Sequence, residues 1–206
     1  MVDLQAELDS NLKDLRMEQA LIGERSCLLD EFMARQSMGF GSTLFRWIGF
    51  WDTNLVRSME FIDKLQVTTK LEPEQRWAEY QRINNEVDQL SVLFYMTKML
   101  LPAFSKIGMI ELRSITQVDC ARAVLGVERF RLAEGRLPGT LEEVVPKYLE
   151  AVPIDPFDGK PLRYKRLEKG YTIYSVGEDG EDNGGIPKSK VQKDEKFDLP
   201  FTVERE

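Results

Sequence analysis

Hydrophobic positions recur at helical spacing through the first part of the chain. Over residues 3–35 they alternate spacings of four and three, which predicts one long helix with a heptad seam. The seam consists of Leu8, Leu12, Leu15, Gln19, Ile22, Ser26, Leu29 and Met33. Its two polar members, Gln19 and Ser26, weaken a free coiled coil and favour packing within a bundle. Gly39 and Gly41 follow and are expected to end the helix.

Two more helices are predicted over residues 52–67 and 73–100. Pro73 suits the first turn of the second one, where its missing N–H has no partner to lose. An apolar stripe at helical spacing marks the buried face of that helix. It consists of Trp77, Tyr80, Ile83, Val87, Leu90 and Phe94.

Pro102 permits another helix, which is predicted to run to Glu134 and to end at Gly135. Its apolar residues do not collect on one face. They are Ile115, Val118, Ala121, Val124, Leu125, Val127, Phe130 and Leu132. A helix that is apolar nearly all round is packed from several sides, so we expect it to be central and touched by both halves of the protein.

The residue composition changes from Arg136 onward. Seven of the nine prolines lie at or after Pro138. Thr140 and Glu143 form a T-x-x-E capping box, which predicts a short helix to about Tyr148. Residues 153–161 read as an ordered, turn-rich loop. Residues 162–167 and 171–176 flank Glu168-Lys169-Gly170 and predict a β-hairpin, and residues 197–203 predict a last strand.

These elements predict an α+β protein, a mainly helical bundle followed by a small antiparallel β cap packed on the long central helix. The helical bundle region covers residues 1–101. Residues 102–206 hold the long helix and the β-rich cap, and the two regions are expected to share one core.

Composition narrows the function classes. The net charge of −7 argues against a nucleic-acid binder, which would carry a basic stripe. The chain has no histidine, so Ser-His and Cys-His nucleophile pairs and histidine-containing zinc or di-iron sites are excluded. Cys27 and Cys120 form no motif with each other, and both are expected to be buried structural thiols rather than redox groups.

No membrane insertion of this chain is predicted. The segment from Met1 to Asn11 is polar and does not read as a signal peptide. The longest apolar run, Leu90 to Phe104, contains Lys98 and is too short to span a bilayer. An anchor ahead of Met1 stays open at this point.

The loop from Gly177 to Gly185 concentrates acidic and amide side chains. These are Glu178, Asp179, Glu181, Asp182 and Asn183. Oxygen ligands of this kind suit Ca²⁺, although a mobile acidic turn has the same composition. An EF-hand is excluded, because its twelfth position falls on Lys190 and the flanking segments are not helices.

A series of short motifs also occurs in order between residues 113 and 203. It consists of Ala123-Val124-Leu125, Phe130-Arg131, Gly135-Arg136-Leu137-Pro138, Thr140-Leu141, the run from Asp155 to Tyr164, the run from Tyr174 to Gly180, Gly184-Gly185 and Asp198-Leu199. In this order the motifs resemble the C-terminal part of the major pseudopilin of bacterial type II secretion. They look still more like a pseudopilin-G-like tail found on uncharacterised bacterial envelope proteins.

This resemblance implies a pilin-like cap in which a calcium ion ties down the loop after the hairpin. The implied ligands are the side chains of Asp179 and Asp198 and the main-chain carbonyls near Ser175 and Val176. Three features depart from the pattern: a prepilin cleavage motif is missing, about a hundred residues precede the matching part, and a lysine-rich insert (Lys188, Lys190, Lys193, Lys196) interrupts it. Assembly as a pseudopilus subunit is therefore not expected.

The sequence thus predicts a non-enzymatic structural or interaction module on the extracytoplasmic side of a bacterial envelope, with an unidentified protein partner. The alternative is a small-ligand-binding protein or enzyme that uses a pocket in the helical half, around Trp47, Trp51 and Trp77. The aromatic segment from Phe40 to Trp51 is expected to pack between helices, and a partner-docking or membrane-surface patch is its alternative.

Overall fold

The computed structural model describes residues 49–186 and 198–204, together with four helical positions near the N-terminus, Gly23, Ser26, Cys27 and Asp30. The predicted N-terminal helix and its heptad seam otherwise lie outside the described residues. So do Gly39, Gly41 and most of the aromatic segment. The chain divides into two compact units, one ending at Glu111 and the other beginning at Leu112.

The first unit is helical. Helix α1 spans Phe50–Thr68 and helix α2 spans Pro73–Asp88, with Pro73 in its first turn as predicted. A 3-10 turn at Val92–Phe94 leads into helix α3, which spans Tyr95–Glu134.

The boundary between α2 and α3 differs from the prediction. A helix over residues 73–100 is wrong, because α2 ends at Asp88, and Pro102 lies inside α3 instead of opening it. Ser91 provides the local cause, since its Oγ accepts a hydrogen bond from the N–H of Leu93 at 3.4 Å and starts the new turn. Lys98 reinforces the break by donating from Nζ to the carbonyl of Asp88 at 2.8 Å.

Apolar side chains from all three helices fill the core of the first unit. They are Phe61, Ile62, Leu65, Tyr80, Ile83, Val87, Leu101 and Phe104. Polar groups are buried beside them in pairs. Ser58 and Thr97 share a hydrogen bond of 3.1 Å, and Ser105 donates to Asn84 at 2.6 Å.

The second unit contains an antiparallel sheet of three strands in the order β1-β2-β3. Strand β1 spans Arg163–Leu167, β2 spans Gly170–Ser175 and β3 spans Leu199–Glu204, so the predicted hairpin and last strand are confirmed. Gly170 has a φ of 127°, and a Cβ there would lie 2.0 Å from the carbonyl oxygen of Val203. Only glycine permits this approach between β2 and β3.

One face of α3 packs on this sheet. Cys120, Ala123, Val124, Val127 and Phe130 of the helix form a core with Tyr171 and Ile173 of β2 and with residues of the intervening loops, Leu141, Val144, Leu149 and Leu162. The predicted end of the helix is confirmed, since Gly135 follows Glu134 with a φ of 71°. The protein is therefore α+β, mainly helical with a small C-terminal antiparallel sheet.

Three local predictions need correction. The short helix at Thr140 is only a 3-10 turn at Leu141–Val144, and the Thr140 side chain makes no cap bond. Glu143 reaches back past it and accepts a hydrogen bond from the N–H of Gly139 at 2.8 Å. The C-terminal part of α3 was predicted to be packed from several sides, but it is not buried on every side, because Leu132 is exposed and Leu125 is only half-buried.

The two cysteines also differ from each other. Cys120 is buried as predicted, whereas Cys27 is exposed, and both are free thiols. The apolar sequence neighbours of Cys27 suggested burial, but adjacent residues on a helix point in different directions. Burial raises the pKa of Cys120 to about 12, with the charges of Asp155 and Asp119 adding to the effect, which keeps this thiol protonated.

Candidate functional site

The acidic loop begins directly after β2 and folds back on itself. A 3-10 turn at Gly177–Asp179 starts it, and Gly180 follows in the left-handed region with a φ of 67°. Gly185 has a φ of 81°, and a Cβ there would lie 3.2 Å from the rings and methyl groups of Thr172 and Tyr174. The glycines therefore let the loop lie flat against β2.

Asp198 closes the loop from the far side. Its carboxylate is fully buried and accepts three main-chain hydrogen bonds, from Asn183 at 3.2 Å, Gly185 at 2.6 Å and Ile186 at 3.3 Å. The N–H of Asp198 also donates to the carbonyl of Ile186 at 2.9 Å. Burial raises the pKa of Asp198, while the three N–H groups act in the opposite direction.

Asp179 lies on the same loop and is half-buried. Its Oδ1 accepts from the N–H of Glu181 at 3.0 Å, and its Oδ2 accepts from the side-chain amide of Asn183 at 3.2 Å. Asn183 thus contacts both candidate ligands, Asp198 through its main chain and Asp179 through its side chain. Two carboxylates that are far apart in sequence meet at one residue.

Ser175 and Val176, whose main-chain carbonyls are the other implied ligands, are buried at the end of β2. Both residues also donate hydrogen bonds to a different carboxylate, that of Asp155. The Ser175 hydroxyl donates to Oδ1 of Asp155 at 2.9 Å, and the N–H of Val176 donates to its Oδ2 at 2.9 Å. The Ser175 Oγ also accepts from the N–H of Gly177 at 3.0 Å, which orients the start of the loop.

Asp155 is the centre of a buried network that sequence reasoning missed as a site. It is fully buried and also accepts from the N–H of Phe157 at 3.0 Å and from Arg163 Nη1 at 3.0 Å. Arg163 continues to Asp158, with which it forms a close ion pair. Burial raises the pKa of Asp155, and the hydrogen bonds from Phe157, Val176 and Ser175 oppose that shift. The network joins the turn-rich loop to the end of β2.

The loop has two further attachments. Glu178 forms an ion pair of 2.5 Å with Arg113 of α3. The Tyr174 hydroxyl donates to Oδ1 of Asp182 at 3.0 Å. Burial raises the pKa of Tyr174 to about 12, and the hydrogen bond to Asp182 adds to the effect. The acidic loop is therefore held to both the helix and the sheet of its unit.

The oxygen atoms of the candidate ligands are of the kind that a hard cation binds. Carboxylate oxygens such as those of Asp179 and Asp198 are ligands that Ca²⁺ prefers, and each oxygen has two lone pairs. Within the described part of the chain, Asn183 donates both to Oδ1 of Asp198 and to Oδ2 of Asp179. Among residues 49–186, 198–204 and the four N-terminal positions, no cluster of three or more Asp, Glu, Cys or His side chains is arranged as a metal site. Calcium here would therefore need main-chain carbonyls as well. The lysine-rich insert from Lys188 to Lys196 lies outside the described residues.

A shallow groove occurs in the first unit. It encloses about 400 Å³ and is lined by Asp52, Thr53, Val56, Arg57, Glu60 and Phe94. Arg57 lies over the Phe94 ring, 5.4 Å from its centroid, and pairs with Glu60 at 2.8 Å. The predicted aromatic pocket includes Trp47, which lies outside the described residues, and neither Trp51 nor Trp77 lines this groove.

Comparison with known proteins gave no match to a family model, a curated protein or a solved structure. Within the described part of the chain, no single helix has the length and apolar character needed to cross a membrane. The pair Pro73–Asp88 and Val92–Glu134, bent by 114°, meets that criterion only jointly.

Proposed function

We propose that this protein is a non-enzymatic structural or interaction module of a bacterial envelope protein, with a calcium ion stabilising the loop after its β-hairpin. The module would act on the extracytoplasmic side and bind another protein. The cap would be pilin-like, as the resemblance to pseudopilins implies, with Asp179 and Asp198 as side-chain ligands and carbonyls near Ser175 and Val176 completing the shell.

The single observation that carries the calcium proposal is the convergence of Asp179 and Asp198 on Asn183. Clustered carboxylates repel one another when they are ionised, and a divalent cation bound by both would offset that repulsion. The three main-chain N–H bonds to Asp198 already give the loop a defined shape. Calcium would therefore bind a loop that is largely formed and would stabilise it further.

The architecture of the second unit supports the pilin-like proposal. A long helix packed along one face of a small antiparallel meander is the arrangement that the resemblance implies. Residues of the motifs that carry the resemblance also make long-range contacts in this unit, since Asp155 and Arg163 join the turn-rich loop to the sheet and Asp198 closes the acidic loop.

A structural role is supported by what the buried ionisable groups of this unit contact. Asp155 accepts hydrogen bonds from two main-chain N–H groups, a hydroxyl and a guanidinium. Asp198 accepts three main-chain hydrogen bonds. Contacts of this kind hold loops in a defined geometry.

Thermal unfolding with and without calcium tests the proposal. A ligand that binds only the native state stabilises it by about 2.7 kcal/mol at a hundredfold excess over Kd. Millimolar Ca²⁺ should raise the melting temperature, a chelator should reverse the effect, and Mg²⁺ should act weakly because its small octahedral shell fits mixed carbonyl ligands poorly.

Two variants test whether the calcium response depends on the proposed ligands. Asp179→Asn should abolish the calcium response. Glu181→Gln makes the same change of charge on an exposed residue of the same loop and should leave it intact. A response that is equal in both variants would mean diffuse charge screening instead of a site, and the calcium proposal would fail.

A further inference from the structure

Asn183 and Gly184, in the acidic loop, form the only Asn-Gly sequence in the chain. An asparagine loses its side-chain amide most readily when glycine follows it, because glycine has no side chain to hinder the approach of its main-chain nitrogen to the asparagine Cγ. The two reacting groups belong to neighbouring residues, so the reaction is intramolecular and needs only water as a co-reactant. The loop therefore contains a pair of residues that can modify itself.

The modification exchanges one bond for another at Cγ of Asn183. A bond forms between this carbon and the main-chain nitrogen of Gly184, and the bond from Cγ to Nδ2 breaks. The N–H proton passes through water to the departing amino group, which leaves as ammonia, and a succinimide ring remains. Water then adds to either ring carbonyl. The product is aspartate, or isoaspartate in which the main chain runs through the former side chain, and nothing is oxidised or reduced.

The closed loop engages both reacting groups in other contacts. The N–H of Gly184 donates to Oδ1 of Asp182 at 2.9 Å. Nδ2 of Asn183 donates to Oδ2 of Asp179 at 3.2 Å and to the carbonyl oxygen of Glu181 at 3.0 Å. The nitrogen of Gly184 must release Asp182, and the amide of Asn183 must turn away from its two acceptors, before the ring can form. The reaction therefore requires the loop to open locally.

The position of the loop makes such opening accessible without unfolding of the unit. Gly180, Glu181 and Asp182 are exposed, and Asn183 is half-buried. Segments with few buried contacts open at a much lower cost in free energy than the core of a domain. When opening and closing are fast, the rate of a reaction confined to the open form follows the population of that form. Asp182 limits this population, because the Tyr174 hydroxyl holds its carboxylate at 3.0 Å while it accepts from Gly184.

Either product weakens the closure of the loop on Asp198. The carboxylate of Asp198 accepts from the N–H of Asn183 at 3.2 Å and from the N–H of Gly185 at 2.6 Å, on opposite sides of the reacting peptide bond. Isoaspartate inserts an additional main-chain carbon between these two donors and changes their spacing. Aspartate replaces an amide that donates to Asp179 by a carboxylate that repels it.

We infer that Asn183–Gly184 is a self-modification site that the closed acidic loop protects, and that its conversion to aspartate or isoaspartate after opening weakens the closure on Asp198. This inference goes beyond the proposed function. It concerns the same loop but does not depend on calcium, so either proposal can fail while the other stands.

Peptide mapping by mass spectrometry tests it, with a chelator present throughout. The whole chain is incubated at mildly alkaline pH, either folded or in guanidinium chloride, and then digested with trypsin. The peptide of residues 170–188 contains Asn183 as its only asparagine or glutamine, so the mass change from amide to acid reports this residue alone. Conversion should be at least about tenfold slower in the folded chain.

Two variants test the protecting contact. Asp182→Ala removes the acceptor of the Gly184 N–H, so conversion in the folded chain should be about fivefold faster. Glu181→Ala is the matched control, because it removes the same charge from the adjacent exposed residue and keeps the main-chain carbonyl that Asn183 contacts. Its rate should equal that of the native chain. For each variant the folded rate is divided by the rate in guanidinium chloride, which corrects for direct effects of the substitution.

Circular dichroism confirms that each variant is folded before the rates are compared. Equal rates in the folded and unfolded native chain would overturn the inference. So would a slower conversion of Asp182→Ala, which would mean that Asp182 accepts the proton during attack instead of holding the nitrogen back. The converted native chain, separated by ion exchange, should melt at a lower temperature than the unconverted chain. An unchanged melting temperature would contradict the weakened closure on Asp198.

Discussion

Replacing Asp155 by asparagine isolates the contribution of the buried network beneath the acidic loop. The carboxylate receives two donors on each oxygen: Phe157 N–H and the Ser175 hydroxyl on Oδ1, and Val176 N–H and Arg163 Nη1 on Oδ2. An asparagine amide has only one oxygen. In either orientation, its amino group faces the main-chain N–H of Phe157 or of Val176, and that donor loses its acceptor.

The size of the effect follows from these contacts. A buried donor left without an acceptor costs about 1–3 kcal/mol, and loss of the charge weakens the remaining hydrogen bonds to Arg163 and to the main chain. Burial raises the pKa of Asp155, so removing the charge also recovers part of its desolvation cost. We expect a net loss of about 2–4 kcal/mol in the free energy of unfolding, or about 5–15 °C in melting temperature.

Asp158→Asn is the matched control for this experiment. Asp158 pairs with the same arginine, but its side chain remains 13% exposed and its main-chain donor, Lys160, lies at the surface. Because Asp158 and the N–H of Lys160 keep contact with solvent, a donor left without its acceptor there can bind water, so this variant should lose less stability than Asp155→Asn. Urea and thermal unfolding measure both variants. A loss below about 1 kcal/mol for Asp155→Asn, or equal losses for the two, would refute the reasoning.

Three further predictions concern other parts of the chain. Gly108→Ala should lower the free energy of unfolding by about 1–3 kcal/mol, measured with urea, although alanine has the better helix propensity. The reason is that a Cβ at this position would lie 2.6 Å from the ring of the fully buried Tyr80. An increase in stability would contradict this packing. The Gly139 N–H bond and Arg136 hold the pKa of Glu143 below its ordinary value of 4.5, so its stabilising effect is present above that value and lost as the pH falls through the lowered pKa. Glu143→Gln should therefore lower the urea midpoint at pH 7 and converge with the native chain in acid, and a constant difference would contradict the assignment. Cys27 should react rapidly with a thiol reagent under native conditions and Cys120 only on unfolding, so equal rates would be inconsistent with the burial of Cys120.

The spacing of apolar and turn residues predicted those elements that depend mainly on the local sequence. The hairpin was predicted from two short segments, residues 162–167 and 171–176, on either side of Glu168-Lys169-Gly170. Gly170 is also the residue that permits the close approach to β3. The ends of α3 show the limit of this reasoning. Gly135 ends the helix with a positive φ, as its position indicated. The start of the helix depends on Ser91 and on Lys98, which donates to the carbonyl of Asp88 across the break between α2 and α3. The sequence suggested Pro102 as the start instead, because proline is the stronger local signal.

The candidate site was harder to anticipate because it depends on long-range contacts. An acidic, glycine-rich string indicates where carboxylates collect, but nothing local relates Asp179 to Asp198. Only the resemblance to pseudopilins paired them, and Asn183 is the residue that both contact. Asp155 looked like part of a turn, because its donors from Ser175 and Val176 become neighbours only after the sheet has formed.

Calorimetric titration of the chelator-treated chain with Ca²⁺ tests the central proposal most directly. The proposal predicts one saturable site per chain, lost in Asp179→Asn and in Asp198→Asn and retained in Glu181→Gln. Circular dichroism spectra of the variants that match the native spectrum would assign the loss to the ligands. Absence of binding by the native chain at millimolar Ca²⁺, or unchanged binding in both aspartate variants, would contradict it.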